Sequence, residues 1–418
     1  MWRLIYRFFS YPFFLFSLFF LVLKKKTRIT LKKRLRLKVR TNGKRIWIHS
    51  ASLGEALIAK TLIDFLSKKA YHRFLVTTHT SYSKELLERE IKKKAEILYA
   101  PFDLCLFVRS FIKNQNVKSL ILVETELWPN MIWEAKRAGI PVLIVNGRIS
   151  ERTYPLYRRL KFFMRSFMSK IDLVLAQSEK DAERFLELGV DPKRVSVMGN
   201  LKYLRDFQNE VSSVKKLKAV TFGSIRDKEK DGILRVIKDL KRKYPDLIVY
   251  IAPRTFDILG SLERELISDL KVERYSKIKT NTLSEGDFDV ILVDTVGDLP
   301  KIYAKSLVAF VGGSLFPYGG HNILEPLFFG TPVLFGPYVE NFKEISEEIQ
   351  KSHAGFMVKD FNELEDMLES LILNENLRES TKKNGLSLLA RKREEIEKNL
   401  HILFQFIEEG AKSNAGIL

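Results

Sequence analysis

The chain has a single cysteine, Cys105, among 418 residues, and only six histidines. One cysteine excludes an intramolecular disulfide and fits a reducing compartment. Because the histidines and the cysteine lack the close spacing of a structural metal site, we predict no bound metal. Internal repeats and low-complexity tracts are also absent from the sequence. With 45% hydrophobic residues, the chain can bury an ample core, and its length suggests two to three domains.

Negative charge is scarce: 51 acidic residues stand against 71 basic ones, which gives a formal net charge of +20. This balance suits a polyanion or an anionic membrane surface. Nucleic acid is a common partner of basic chains, but we find no zinc-ligand set, aromatic RNA-binding signature or helix-turn-helix spacing. Net charge is the only feature that suggests nucleic-acid binding, so we expect no nucleic-acid partner.

One long apolar run occupies residues 8–23, and a dense basic run follows at 24–40. A spanning helix needs about 20 apolar residues, a length that Trp2–Leu23 nearly reaches. A cleaved signal peptide is the rival interpretation, but no small-residue cleavage site follows and the basic run would resist export. We predict an uncleaved membrane anchor at 1–26. The basic run then lies against anionic headgroups or forms a solvated linker.

The remaining chain alternates short apolar runs with amphipathic segments, a pattern typical of parallel α/β domains. A polar segment at 203–218 separates two such series. We predict two tandem parallel domains with a cleft between them, at 27–204 and 205–395, and a helical tail at 396–418. The predicted strands are 45–49, 74–77, 120–123, 142–146, 173–176, 195–198, 219–222, 247–252, 290–293, 308–311, 333–335 and 355–358.

The first strand continues into the string Ser-Ala-Ser-Leu-Gly-Glu, which ends at Glu55. Small residues such as Ser52 and Gly54 let a substrate approach the backbone. The helix dipole should keep a carboxylate at a helix start ionised, which suits a general base. Ser52 and Glu55 also have the spacing of a capping box, so this string alone leaves capping and catalysis open.

Other charged residues follow predicted strands of the first domain. Glu124 and Glu126 come directly after the third strand, Arg148 follows the fourth, and Lys202 follows the last one. Sites of α/β domains form at the carboxyl ends of strands, although loop acids can also be merely solvated.

Four strand ends of the second domain carry polar or small residues: Ser224, Arg254, the turn at 294–298, and the glycine-rich stretch from Gly312 to Glu325. Asn322 has the place of a helix N-cap. Backbone N–H groups in such a loop and helix start can hold a phosphate, and a glutamate can hold two ribose hydroxyls. Together these ends predict a nucleotide-bearing donor at one edge of the sheet.

The strings HSASLGE, VETELWPN, NGRIS, GNLKY, APR, DTVGDL and GGSLFPYGGHNILEPLFFGTPVLFGP cover nearly the whole chain. Together they resemble the 3-deoxy-D-manno-octulosonic acid (Kdo) transferases of lipopolysaccharide synthesis. The resemblance implies a GT-B fold, with two Rossmann-like domains, an interdomain cleft and an N-terminal membrane-anchor helix. It also implies no cofactor, and a location on the cytoplasmic face of the inner membrane.

The resemblance assigns roles to individual residues. Glu55 is the proposed base, and Glu126 and Lys202 are charged catalytic positions. The acceptor would meet Ser52, Gly54, Glu124 and Arg148. The CMP part of the donor would meet Gly223, Ser224, Pro253, Arg254, Val296, Gly297, Asp298, Asn322, Ile323, Leu324 and Glu325.

Two strings depart from the family pattern. The family has Gly-Ser-Thr-His where this chain has Gly223-Ser224-Ile225-Arg226, and Met-Gly-Glu where it has Val296-Gly297-Asp298. Similar charge at each place implies retained binding, with different contacts to the nucleotide.

The function we expect is an inverting, metal-independent transfer of Kdo from CMP-Kdo to a phosphorylated lipid A precursor, lipid IVA. One alternative is a GT-B transferase that uses a UDP-sugar and a polyprenyl or diacylglycerol acceptor. Another is a membrane-tethered nucleotide- or lipid-binding protein without turnover.

Overall fold

The computed structural model describes residues 1–23, 34, 42–69, 73–205 and 216–413. The chain forms two compact units: Met1–Arg205 with Glu394–Leu418, and Asp206–Arg393. Most of the predicted basic run and of the predicted linker lies outside the described residues. Tyr203 and Leu204, which we placed in the linker, instead lie buried in the 3₁₀ helix Leu201–Leu204 of the first unit.

The first unit is built on a seven-stranded parallel sheet with the order β3-β2-β1-β4-β5-β6-β7. Its strands are β1 (Arg45–His49), β2 (Phe74–Thr78), β3 (Ala95–Tyr99), β4 (Val117–Val123), β5 (Val142–Gly147), β6 (Leu173–Ala176) and β7 (Val195–Val197). Its helices are α1 (Trp2–Leu23), α2 (Leu53–Lys69), α3 (Ser81–Ile91), α4 (Cys105–Asn114), α5 (Pro129–Arg137), α6 (Tyr154–Arg159), α7 (Lys161–Met168) and α8 (Glu179–Glu187).

The second unit repeats this plan, with the strand order β10-β11-β9-β8-β12-β13-β14. Its strands are β8 (Ala219–Ile225), β9 (Ile248–Pro253), β10 (Val272–Arg274), β11 (Val290–Leu292), β12 (Val308–Val311), β13 (Val333–Phe335) and β14 (Gly355–Met357). Its helices are α9 (Lys230–Lys243), α10 (Leu259–Leu266), α11 (Tyr275–Asn281), α12 (Leu299–Lys305), α13 (Lys343–Lys351), α14 (Phe361–Leu373) and the start of α15 (Glu375–Ser413).

The predicted pair of Rossmann-like parallel domains is therefore confirmed, and the predicted strands are present with ends shifted by a few residues. The prediction missed β3 and β10, each of which is one of the two edge strands of its sheet, whereas the opposite edges, β7 and β14, were predicted. Edge strands need less apolar sequence because one side lacks a neighbour, and Glu96 is indeed exposed in the middle of β3. A weak apolar pattern therefore hid both strands.

The direction of strand succession reverses once in each sheet. β1 pairs with β2 on one side and with β4 on the other, and β8 lies in the same way between β9 and β12. Ligands of open α/β sheets bind beyond the carboxyl ends of strands at such a switch point. This rule directs attention to the loops after β1 and β4 and to those after β8 and β12.

Among the residues that the structure describes, no helix has both the length and the apolar character needed to cross a membrane. The N-terminal membrane anchor therefore stays a prediction.

Candidate active site

Glu55 lies in the first turn of α2, directly beyond the end of β1. Its carboxylate accepts hydrogen bonds from the Ala51 N–H (2.6 Å) and from the Ser52 hydroxyl (2.7 Å). The Glu55 N–H in turn donates to the Ser52 Oγ (3.3 Å). The capping contacts of Ser52 and Glu55 are thus present, and the carboxylate stays partly exposed.

The helix start does not keep the pKa of Glu55 at or below its ordinary value. Burial raises the pKa of Glu55 to about 7, and the neighbouring carboxylates of Glu126 and Glu124 add to the shift. The bonds from Ser52 and Ala51 act in the opposite direction but do not cancel it. A carboxylate with a pKa near 7 accepts a proton far more readily than an ordinary one, and this suits general-base chemistry.

Glu126 lies beyond β4, where the Trp128 indole N–H donates to its Oε2 (2.6 Å) and the His49 Nε2 is 3.3 Å from that oxygen. Burial raises the pKa of Glu126, but the contacts with His49 and Trp128 outweigh it and leave the pKa below its ordinary value. The two glutamates therefore have opposite tendencies: Glu126 stays charged, and its charge raises the pKa of Glu55. Pairs of carboxyl groups with separated pKa values are a common basis for acid–base chemistry.

His49 and His79 stand beside Glu126, with ring centroids 5.2 Å apart. The three side chains bring one ligand atom each within 4.8 Å of one another, a spacing that could hold a metal ion and that sequence spacing did not reveal. The Arg34 guanidinium, however, donates to the His79 Nδ1. The proton of neutral His79 must then be on Nε2, which makes this atom a donor instead of a metal ligand. The arrangement fits a proton-donating histidine better than a metal site.

Two strand ends in this region have strained backbones. Glu124 and Asn146 have φ values of 59° and 58°, in the left-handed region that residues other than glycine seldom adopt. The Asn146 amide donates to the Glu124 Oε1 (3.3 Å), and its Oδ1 accepts from the Leu201 N–H (2.9 Å). Strain held by a buried network is common where side chains must be aimed at a ligand.

Lys202 follows Leu201, so Asn146 also ties the position of this lysine to the end of β5. Burial lowers the pKa of Lys202, while the charges of Glu124 and Arg148 act on it in opposite directions. Thr125 also donates a hydrogen bond to the backbone oxygen of Arg148, which joins the loops after β4 and β5. The predicted first-domain residues beyond these two strands are thus gathered in one neighbourhood.

In the second unit, β8 is irregular near its carboxyl end, at Gly223 and Ser224. Ser224 has a φ of 56°, and the register shifts between Gly223 and Ile225. A Cβ atom on Gly223 would lie 2.0 Å from the Tyr303 hydroxyl, so only glycine fits there. Glu325 contributes to the raised pKa of the fully buried Tyr303, after burial itself, which indicates that its carboxylate lies near this end of β8.

Two arginines, Arg226 and Arg254, directly follow the neighbouring strands β8 and β9. Arg254 follows β9 and is exposed, and the guanidinium of Arg226 stacks 4.6 Å from the ring centroid of Tyr318. His321 lies close to both: burial, together with the charges of Arg254 and Arg226, lowers its pKa to about 4. Two cations around a neutral imidazole form a place where an anionic phosphate would be stabilised.

Three N–H groups at the start of the glycine-rich loop after β12 already have an acceptor, so these three are not offered to a ligand as we expected. The buried carboxylate of Glu229 accepts from the N–H groups of Gly313 (2.7 Å), Ser314 (3.0 Å) and Leu315 (3.1 Å). It also accepts from the Arg226 N–H (2.9 Å), and the residue is 0% exposed. An internal carboxylate thus occupies these donors and connects the ends of β8 and β12.

The predicted helix after Asn322 is also wrong. Asn322 starts a turn in which its Oδ1 accepts from the Leu324 N–H (3.3 Å), and only the short 3₁₀ helix Pro326–Phe329 follows. Gly330 ends it with a φ of 63°. The side chains of Ile323 and Leu324 are fully buried, so only their backbones can meet a ligand.

The turn after β11 holds residues with different surroundings. Val296 is 73% exposed and Gly297 has a φ of 93°, which favours glycine. Asp298 is nearly buried and pairs with the Lys279 ammonium at 3.1 Å. Burial raises the pKa of Asp298, but the bonds from Thr295 and Lys279 lower it below the ordinary value. Asp294 accepts from the Ser276 N–H (2.9 Å) near the start of α11.

Sequence reasoning missed Glu229, His49, His79, Arg226 and His321 as members of these two clusters. His49 stood in the quoted string HSASLGE, and Arg226 stood in a noted departure from the family pattern. Glu229 is 84 residues from Gly313, and no local pattern announces that contact.

Comparison with known proteins gives two adjoining family matches. Residues 26–205 match the family model described as 3-deoxy-D-manno-octulosonic-acid transferase (kdotransferase). Residues 204–387 match the model described as glycosyl transferases group 1.

Individual relatives agree with this result. A 3-deoxy-D-manno-octulosonic acid transferase of Rickettsia bellii is 31% identical over 86% of this chain and 88% of its own length. A bifunctional glycosyltransferase/methyltransferase of Fusobacterium nucleatum is 36% identical over 78% of this chain, but the match spans only 52% of that protein.

Among solved structures, the MnaA–UDP complex of S. aureus matches with a TM-score of 0.55. The match covers 82% of this chain and 91% of that one at 14% identity. At so low an identity the likeness shows the two-domain fold alone.

Proposed function

The chain belongs to the family of 3-deoxy-D-manno-octulosonic acid (Kdo) transferases and is a glycosyltransferase, and on this premise we propose that it moves Kdo from CMP-Kdo to lipid IVA. One observation carries the proposal. The partly exposed Glu55 carboxyl, at the switch point of the first sheet, has a pKa of about 7 because of burial and the charge of Glu126. This is the property that a base for a sugar or lipid hydroxyl needs.

In the proposed reaction, Glu55 takes the proton from an acceptor hydroxyl while its oxygen attacks the anomeric carbon of Kdo. The bond between that carbon and the CMP phosphate oxygen breaks, and CMP leaves with the bonding electrons. Attack from the face opposite the leaving group inverts the anomeric configuration. General-base assistance of this kind contributes about 10²–10⁴-fold to a rate.

The donor is assigned to the second unit. Arg254 and Arg226, whose charges both act on His321, supply positive charge for the leaving phosphate, and Glu325 is assigned to the ribose. We propose a metal-independent reaction because fixed cations can stabilise the charge that develops on CMP. Asn322 and the backbone at 323–324 complete the nucleotide contacts.

The acceptor is assigned to the first unit. Arg148 and Lys202 provide cations for a phosphorylated lipid, and Ser52 and Gly54 leave room beside Glu55. Since this acceptor is a lipid, we propose that the enzyme works on the cytoplasmic face of the inner membrane, held there by its N-terminal segment.

The test is to incubate the purified, detergent-solubilised protein with CMP-Kdo and lipid IVA in the presence of EDTA, and to weigh the lipid by mass spectrometry. We expect a mass increase of one or more Kdo units. Parallel reactions with UDP-sugars test the alternative donor. If folded protein yields no glycosylated lipid with any donor, the proposed transfer is wrong and a binding protein without turnover is the better description.

A further inference from the structure

Helix α1 has its polar and apolar faces reversed relative to an ordinary surface helix. Arg3, Tyr6 and Arg7 point toward the rest of the first unit, where each donates a hydrogen bond to a carboxylate. The large apolar side chains of the opposite face are between 64% and 73% exposed: Leu4, Phe8, Phe9, Phe13, Leu15 and Phe16. A helix in contact with water has the opposite arrangement. This helix therefore presents its apolar face to something other than water.

The polar face of α1 is part of the first unit. The Glu134 side chain is 1% exposed and pairs with Arg3 (3.0 Å), with Arg7 and with Arg109 (3.1 Å). The Tyr6 hydroxyl donates to the half-buried Asp103 (2.9 Å). If α1 left this surface to cross a bilayer, Glu134 would lose two of these three arginines, and a buried charge without partners is costly.

A second exposed apolar and basic segment adjoins α1. It is the α6–α7 segment, defined here as residues 152–170, which holds six basic residues and no acidic one. All six basic side chains are exposed: Arg152, Arg158, Arg159, Lys161, Arg165 and Lys170. Phe162 is 78% exposed, with Leu156 (55%) and Leu160 (46%) nearby in the chain. Aromatic and cationic side chains together are typical of membrane-surface segments.

The α6–α7 segment is held firmly in place beside α1. Phe167 is 1% exposed in the core of the first unit, while Phe163 packs with its ring centroid 6.1 Å from Trp2 and 5.7 Å from Tyr6. Phe162, the preceding residue of the same helix, is exposed. The α6–α7 segment is therefore packed directly against α1 within the first unit.

We propose that α1 lies in the plane of an anionic membrane surface, and that the α6–α7 segment is a second contact with the same surface. The exposed phenylalanines enter the boundary between headgroups and acyl chains, and the six cations reach the anionic headgroups. A second copy of this chain is a poor occupant, because a symmetric interface would bring like charges together. The inference concerns attachment to lipid and does not depend on the proposed sugar transfer.

Transfer of the full-length protein between vesicles tests the second contact. The protein is loaded on fluorescent phosphatidylethanolamine–phosphatidylglycerol vesicles, which contain neither donor nor acceptor, and its dissociation to unlabelled vesicles is timed. Phe162→Ser should speed dissociation about tenfold because an apolar group no longer inserts. Arg158→Gln with Arg159→Gln should speed it about 30-fold, and less so from phosphatidylcholine vesicles.

Matched changes in the second unit serve as controls. Leu373 is 67% exposed, and Lys351 and Lys359 are exposed, yet none belongs to the proposed surface. Leu373→Ser, and Lys351→Gln with Lys359→Gln, should leave dissociation unchanged. Equal effects in both units, or no effect of the α6–α7 changes, would overturn the second contact. Concentration-dependent dimerisation that Phe162→Ser abolishes would instead identify a second copy as the occupant.

The in-plane position of α1 has its own test. A cysteine is added before Met1 in the full chain, and right-side-out and inverted inner-membrane vesicles are treated with a membrane-impermeant maleimide. An in-plane helix keeps this cysteine on the cytoplasmic side, so only inverted vesicles should be labelled. Labelling of right-side-out vesicles would show a spanning helix and overturn the inference.

Discussion

Glu55 and Glu229 occupy matching places in the two units. Along the chain, β1 and β8 are the first strands of their units, and each glutamate lies at the start of the helical segment that follows. Glu229 is fully buried and accepts four backbone N–H groups, three of them from the loop after β12. Glu55 is partly exposed, and its neighbours include two other carboxylates. Both carboxylates thus accept hydrogen bonds, but only that of Glu229 is fully buried among backbone donors, while that of Glu55 lies beside like charges.

The difference shows what makes a carboxylate structural or chemical. A carboxylate that accepts several N–H groups is stabilised as an anion and holds those groups in place. A carboxylate that is partly buried beside like charges binds a proton more readily, as the raised pKa of Glu55 shows. We therefore expect changes at Glu55 to affect chemistry and changes at Glu229 to affect stability.

The sharpest test of this comparison is Glu55→Gln. We expect the transfer rate to fall about 10²–10⁴-fold, because the amide cannot take a proton, while the thermal unfolding temperature changes little. Rates come from mass-spectrometric product measurement and stability from calorimetry. Ser52→Ala is the control, since it removes the capping hydroxyl at a cost of about 1 kcal/mol but keeps the base. Full activity of Glu55→Gln would leave capping as the only role of Glu55.

Glu229→Ala should have the opposite profile. Loss of its carboxylate leaves four backbone N–H groups without their acceptor, and we expect the free energy of unfolding to fall by about 3–5 kcal/mol. Urea denaturation measures this change. Glu363, a half-buried glutamate whose carboxylate accepts the single Lys359 N–H (2.7 Å), is the matched control, and Glu363→Ala should cost about 1 kcal/mol. Equal losses for the two variants would refute the structural role of Glu229.

Arg254→Ala should weaken CMP binding about 10- to 100-fold, because a charge-assisted contact with phosphate contributes about 1.5–3 kcal/mol. Isothermal titration with CMP measures the affinity. Cytidine, which has no phosphate, is the control ligand and should bind the variant and the original protein alike. Unchanged CMP affinity would remove Arg254 from the phosphate site.

The smallest expected effect is a shift of the pH profile. With a Glu55 pKa of about 7, kcat/KM should rise with pH through about 7, since only the ionised form is a base. Glu126→Gln removes a negative neighbour, so the inflection should move to lower pH. An inflection that stays in place would show that Glu126 does not act on Glu55.

The raised pKa also has a consequence for folding. The folded protein keeps a proton on Glu55 that the unfolded chain releases near its ordinary pKa of 4.5. Its contribution to stability is therefore complete below pH 4.5 and is lost as the pH rises toward 7. Glu55→Gln should lack this loss, and unfolding measured at pH 5 and pH 8 will show whether it does.

Much of the fold could be predicted from the sequence, because buried parallel strands are continuous apolar runs and Gly330 ends its helical turn with a positive φ. The failures have local causes. Edge strands β3 and β10 have weak apolar patterns, and the turn at Asn322 satisfies its own backbone without starting an α-helix. The assigned site roles stay predictions until the variants are measured.

The sequence by itself determined the two parallel domains and the strand ends that carry polar residues, since both follow from local patterns of apolar and polar side chains. Only the tertiary structure decided which of these residues act on one another. It paired the N–H groups of the glycine-rich loop with Glu229, placed His49 and His79 beside Glu126, and raised the pKa of Glu55. Burial and charge depend on neighbours that are distant in the chain, and no local pattern contains them.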